Sequence, residues 1–315
     1  MAKQLISYVL PILNESGNIR PLFSAMSELV AGRADSYDFE FIFVNDGSRD
    51  DSLTKLVDIQ AADPRVTVIN LSRNFGHQVA VTAGLDYARG DAVIIMDSDL
   101  QDPPAVSLQL IDKWAEGFQV VYAQRRTRKD GLFKRATANL FYRLLNRLSD
   151  IDIPRDTGDF RLIDRKVVDQ LKLFHEHDRF LRGMVSFVGF KQTAVLFDRD
   201  ERHAGKSGYP LGKMIKFALD GIFGFSSAPL KLISRVGYFI SYLSFIGIIY
   251  ALWVRFFEPG QAVSGWAFTV IAVLFIGGVQ LIMLGILGGY IGRIYTEAQG
   301  RPLYIVDEVY DRDKK

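Results

Sequence analysis

Apolar positions fall in two different patterns along this chain. In the first part, Leu5–Ile12, Phe39–Val44, Val66–Leu71 and Ala92–Met96 are short, near-continuous apolar runs rich in Val and Ile. Between them lie helix-like stretches, at about 17–30, 52–62, 76–88 and 103–116. Strands apolar on both faces, alternating with helices, predict an α/β domain of Rossmann-like build. Its sheet is expected to be mainly parallel, with helices on both faces. Ligands on such sheets sit at the carboxyl ends of the strands.

The second pattern begins near Arg235, after which charged residues almost vanish. None occurs from Val236 to Val254, nor from Ala262 to Gly292. A spanning helix needs roughly 20 apolar residues, so two transmembrane helices are expected, at about 233–256 and 264–291 within 231–293. Lys231 and Arg235 precede the first stretch, and Arg293 and Arg301 follow the second. That cation bias places both chain ends in the cytosol and the short link between the spans outside. Two further stretches mix large apolar residues with cations. About 132–148 reads either as an ordinary core helix or as a helix in the headgroup layer, and 210–230 as an interfacial helix. The expected organisation is then a cytosolic domain over 1–209, the interfacial helix, the two spans, and a cytosolic tail over 294–315. Glycines in Ile276-Gly277-Gly278 and 284–289 permit close helix packing, within one chain or in a homo-oligomer.

Composition narrows the chemistry. The 315 residues carry a formal charge of only +2, which argues against a general nucleic-acid binder. With no cysteine, disulfides and thiolate metal sites are excluded. Leu5–Leu13 is followed by Asn14 and Glu15 without a small-residue cleavage site, so no signal peptide is expected.

Polar clusters fall at all four predicted strand ends: Pro11–Glu15, Asn45–Ser48, Ser72–Asn74 and Asp97–Asp102. The last carries the sharpest signal. Asp97, Asp99 and Gln101 are two residues apart, so an extended backbone turns them the same way. Clustered carboxylates at a buried strand end imply a divalent cation, Mg²⁺ or Mn²⁺, bridging them to phosphates. Asp102, before Pro103-Pro104, reads as the helix cap. Asn45-Asp46-Gly47-Ser48 is turn chemistry, yet its position makes Asp46 the candidate for nucleoside recognition. Asp159 opens another strand-like run. Arg199, Arg202 and Lys206 stand among glycines as a candidate phosphate clamp, and Arg125 belongs to a second basic group.

With these pieces assembled, the chain resembles glycosyltransferase family 2. Within it, the chain resembles the polyprenyl-phosphate glycosyltransferases, relatives of dolichol-phosphate mannose synthase. The resemblance rests on Val9–Glu15, Val44–Ser48, Leu71–Gly76, Met96–Pro104, Gly158–Arg161, Leu287–Tyr295 and Arg301-Pro302. It implies a GT-A fold, a nucleotide-diphosphate sugar donor, a divalent metal and inversion at the sugar carbon. By motif match, Asp97, Asp99 and Gln101 take the metal region. Pro11, Asn14, Glu15, Asp46 and Asp97 take the nucleotide sugar, and Asp97, Asp99 and Asp159 the catalytic positions. Asp159 orients the sugar or acts as a weak base. The paired C-terminal segments resemble the bacterial branch that glucosylates undecaprenyl phosphate, with UDP-glucose the expected donor. GDP-mannose, UDP-N-acetylglucosamine and a modified arabinose donor are the alternatives. A reading from another class is an inactive scaffold or flippase-associated membrane protein. Trp114, Trp253 and Trp266 are none of them preceded by Arg, so the Gln-x-x-Arg-Trp motif of processive synthases is missing and single-sugar transfer is expected.

Overall fold

A computed structural model describes residues 3–126, 157–198, 228–257 and 265–311. The basic stretch 132–148, most of 210–230, and the clamp residues Arg199, Arg202 and Lys206 lie outside the described residues.

Strands β1 (Gln4–Ile12), β2 (Tyr37–Asn45), β3 (Val66–Leu71) and β4 (Ala92–Ile95) alternate with helices α1 (Ile19–Ala31), α2 (Ser52–Ala62) and α3 (His77–Tyr87). Helix α4 (Val106–Ala115) leads to β5 (Val120–Arg125). After the undescribed segment come β6 (Thr157–Asp164), α5 (Arg165–Leu171), α6 (Leu181–Val188) and β7 (Gln192–Phe197). Two long helices follow, α7 (Ala228–Phe257) and α8 (Trp266–Ala298), and then β8 (Val306–Tyr310).

Among the described residues these strands form one eight-stranded sheet in the order β7-β5-β6-β4-β1-β2-β3-β8. The expected parallel arrangement holds for β4-β1-β2-β3. Beyond it the sheet is mixed, because β6 enters antiparallel between β4 and β5. At the far edge β8 runs antiparallel to β3, so part of the expected tail is an edge strand.

Period-2 alternation sorts the core into two layers. Tyr8, Leu10, Phe41 and Phe43 pack with Leu22 and Met26 of α1 and Leu110 of α4. Val9, Ile42 and Val44 pack on the other face with Val81 and Leu85 of α3 and Met184 of α6. Each such buried side chain contributes about 1.5–3 kcal/mol. Helix α3 lies so close to β1 that a Cβ on Gly84 would stand 2.3 Å from a Val9 methyl.

Helices α7 and α8 carry their large apolar side chains outward: Tyr238 is 77% and Leu281 71% exposed. Among the described residues one stretch, Phe275–Ala298, is long and apolar enough to cross a membrane.

Candidate active site

The strand-end clusters meet along the carboxyl edge of β1, β2, β3 and β4, where hydrogen bonds between backbone and side-chain groups lace the loops together. Asn14, at φ 54°, donates its amide to Ser48 Oγ (3.0 Å) and accepts the Arg49 amide on its side chain (2.8 Å). The Glu15 amide donates to Ser52 Oγ (3.2 Å), and its carboxylate accepts from Asn18 (2.6 Å). Ser98 Oγ donates to the Pro11 carbonyl (3.1 Å), tying the β4 end to the β1 end.

Asp46 is 2% exposed, and its two oxygens accept the amides of Phe75 (2.7 Å) and Gly76 (3.0 Å). Burial raises its pKa, against the pull of those amides. The proposed nucleoside contact therefore sits on a carboxylate that also holds the β3–α3 loop. Gly47 makes this approach feasible: its φ is +68°, and a Cβ there would stand 2.5 Å from the Arg73 and Asn74 backbone.

Past β4 the backbone bends at residues 98–100 instead of continuing extended as expected for Asp97, Asp99 and Gln101, and the Gln101 amide donates to Asp99 Oδ1 (3.1 Å). Leu100 holds φ 57°, an uncommon conformation for a residue with a branched side chain and one concentrated at functional turns. The cap expected at Asp102 is not formed there. Helix α4 starts at Val106 with Ala105 at the N-cap, because Pro103 and Pro104 first make a turn that receives the Val106 and Ser107 amides. Asp102 instead lies buried beneath that turn, 2% exposed.

The antiparallel pairing of β6 completes the site. Ile95 of β4 pairs with Arg161 of β6, so the register carried two residues on sets Asp97 opposite Asp159. His77, the first residue of α3, lies between them, with Nε2 at 3.2 Å from Asp159 and 3.6 Å from Asp97. Asp159 also accepts from Arg182 Nε (2.8 Å) and Gln78 Nε2 (3.1 Å), and the Gln78 side-chain Oε1 accepts the Leu181 amide (3.0 Å). Burial works against the Asp159 carboxylate, yet the Arg182 charge and the His77 hydrogen bond hold its pKa well below the usual range. Burial likewise opposes charge on His77, but the bond to Asp159 and the charge of Asp97 bring its pKa to about 9. Asp97 is shifted upward by burial, with His77 opposing. Beneath them Arg161, 5% exposed, donates to the Gly158 carbonyl (2.9 Å). Arg125, at the end of β5, brings its guanidinium to 3.7 Å from where a Cβ on Gly158 would stand.

Sequence analysis does not single out His77, Gln78 or Arg182. The available signal for His77 was its place directly after Ser72–Gly76, at a helix start on a strand end. Arg182 carried none, lying 23 residues beyond its partner.

The carboxylate chemistry fits a hard divalent cation. Asp97 Oδ1 is buried without a hydrogen-bond partner, with the carboxylates of Asp99 and Asp159 near it and His77 Nε2 at 3.6 Å. Among the described residues no group of three or more His, Cys, Asp or Glu side chains is placed to hold a metal ion by itself. Two carboxylates with remaining positions left to phosphates are a common arrangement for Mg²⁺.

Residues 7–172 match the family model described as Glycosyl transferase family 2. The chain is 49% identical over 310 residues to a Bacillus subtilis (strain 168) protein named uncharacterized glycosyltransferase YkcC, covering 98% of this chain and 95% of the relative. It is 41% identical over 304 residues to the SfII prophage-derived bactoprenol glucosyl transferase of Shigella flexneri, covering 96% and 97%. A solved structure of Mycobacterium tuberculosis glucosyl-3-phosphoglycerate synthase with Mn²⁺, uridine diphosphate and phosphoglyceric acid aligns at 22% identity and TM-score 0.46, over 70% of this chain and 76% of its own, too distant to carry a conclusion here. On the family match and the full-length relatives, the chain belongs to glycosyl transferase family 2 and is a glycosyltransferase.

Proposed function

We propose that this enzyme transfers one glucose from UDP-glucose to undecaprenyl phosphate at the cytosolic face of the cell membrane, with inversion at the anomeric carbon. The observation that carries the reading is the Asp97–His77–Asp159 arrangement at the carboxyl edge of the sheet. The name of the Shigella flexneri relative supports glucose and a bactoprenol acceptor.

Pro11, Asn14, Glu15 and Asp46 line the nucleotide side. Asp97, Asp99 and Gln101 would hold Mg²⁺ or Mn²⁺, which when bound neutralises the donor diphosphate. A phosphate monoester loses its second proton near pH ~6, so the acceptor oxygen is already anionic at neutral pH and needs no strong base. That oxygen attacks the anomeric carbon, the bond from that carbon to the diphosphate oxygen breaks, and the nucleoside diphosphate leaves. Asp159, held anionic, orients the sugar rather than taking a proton. His77 places positive charge beside the departing diphosphate, and Arg125, with Arg199, Arg202 and Lys206, receives the acceptor phosphate. Positioning and charge complementarity supply the rate enhancement.

Helices α7 and α8 are read as two spans, supported by the apolar stretch Phe275–Ala298 and the flanking cations, with both termini cytosolic.

The test incubates membranes containing the full chain with labelled UDP-glucose, UDP-N-acetylglucosamine and GDP-mannose, followed by lipid extraction. Label should enter polyprenyl lipid from UDP-glucose alone, and EDTA should abolish it. Label from another donor reassigns the sugar. Label in no lipid from any of the three donors overturns the UDP-glucose reading.

A further inference from the structure

The cytosolic end of α8 is joined to the loop 172–180 that leads into α6. The His177 amide donates to Glu297 Oε1 (2.8 Å), and its Nδ1 lies 2.9 Å from Glu297 Oε2. Its Nε2 lies 2.7 Å from the Arg301 carbonyl oxygen. A carboxylate and a carbonyl oxygen only accept, so both ring nitrogens must donate and the ring is an imidazolium. Arg293 adds a second link across the same junction, 3.4 Å from Asp178. The His177 side chain is only 20% exposed.

The same short segment then reaches the active site. Arg179 donates its amide back to the His177 carbonyl (3.0 Å). At the start of α6 the Leu181 amide donates to Gln78, and the next residue, Arg182, grips Asp159. Only four residues separate His177, fixed to the end of the long helix, from Arg182, fixed to the site carboxylate. A single ion pair near the surface contributes about 0–1 kcal/mol, so stability alone gives little reason for one residue to make three convergent contacts, two through its imidazole and one through its backbone amide.

We propose that His177 is a positioning residue: by fastening the end of α8 to the start of α6, it sets where Arg182 holds Asp159 relative to the membrane-borne acceptor. The inference rests on the proposed lipid acceptor for its purpose and on the contacts above for the linkage itself.

The experiment uses the full chain in lipid nanodiscs. His177→Ala should lower kcat for transfer to undecaprenyl phosphate by ~10-fold or more, the scale on which a remote displacement of order 1 Å acts. UDP-glucose affinity, measured by calorimetry, should stay unchanged. Amide hydrogen exchange over residues 181–188 should rise, because α6 has lost its tie. The double variant His177→Ala/Arg182→Ala should be no slower than Arg182→Ala alone, since both act through one carboxylate. If His177→Ala does not fold, Glu297→Gln replaces one acceptor with a donor and should show the same changes at smaller size. Unchanged exchange over α6, or multiplicative losses in the double variant, would overturn the linkage. Altered exchange in a variant whose wild-type parent moves no sugar to lipid would leave the linkage standing and overturn the function reading.

Discussion

The two halves of the sheet hold their polar groups by different means. In the parallel half, β4-β1-β2-β3, the strand-end loops are fixed by backbone amides: Asp46 takes those of Phe75 and Gly76, and Asn14 that of Arg49. In the antiparallel half, Asp159 of β6 is fixed by side chains, namely Arg182, His77 and Gln78. Parallel strands separated by crossover helices bring all their carboxyl ends to one edge, so loops there can support one another locally. An antiparallel strand offers its amino end at that edge, and its first residues must find partners from elsewhere in the chain. The parallel side is therefore a cradle held by backbone amides. The opposite side is an electrostatic assembly whose members are set by helices α3 and α6.

Three substitutions separate these two modes of support. The largest effect is expected from Asp99→Asn, which should lower transfer by ~10²–10³-fold while circular dichroism stays native. Near-normal turnover would remove the Asp97–Gln101 turn from the chemistry. Next, Arg182→Ala takes the guanidinium from Asp159, whose side chain is only 11% exposed, and leaves it with His77 and Gln78. It should lose both activity and roughly 3 kcal/mol of stability, read from kinetics and denaturant unfolding. Loss of activity with full stability would mean that the assembly is not held together by its charges. The smallest effect belongs to Gly47→Ala, which forces a Cβ against the Arg73 and Asn74 backbone. It should cost about 1–3 kcal/mol, measured as a lowered unfolding midpoint, with the surviving folded enzyme still active. An unchanged midpoint would show that the loop cradle is looser than its geometry states.

Much of the parallel half was legible beforehand. Leu5–Ile12 and Phe39–Val44 announced strands because residues buried on both faces are apolar on both faces, and β1 and β2 match them to within a few residues. The carboxylate cluster after β4 was legible for a similar reason, since clustered carboxylates directly after a buried strand have few structural uses, but the bend at residues 98–100 in place of an extended run was not. The pairing of Asp159 with Arg182, and of both with His77, was not. His77 and Asp159 are 82 residues apart, and no local pattern encodes which strand lies beside β4. The edge strand β8 was hidden too, because Val306-Asp307-Glu308-Val309-Tyr310 carries the charges an edge strand tolerates and so reads as a polar tail.

Local pattern thus determined the strand and helix runs of the first half, the cluster of carboxylates that follows β4, and the long apolar segments at the end. Burial and backbone geometry act over a few residues, so each leaves its trace in the order of side chains. Tertiary structure alone decided that β6 enters antiparallel beside β4, that Asp159 therefore faces Asp97, and that the end of α8 meets the start of α6 through His177. Those outcomes depend on which distant segments pack together, and the energy that selects them belongs to the folded core as a whole.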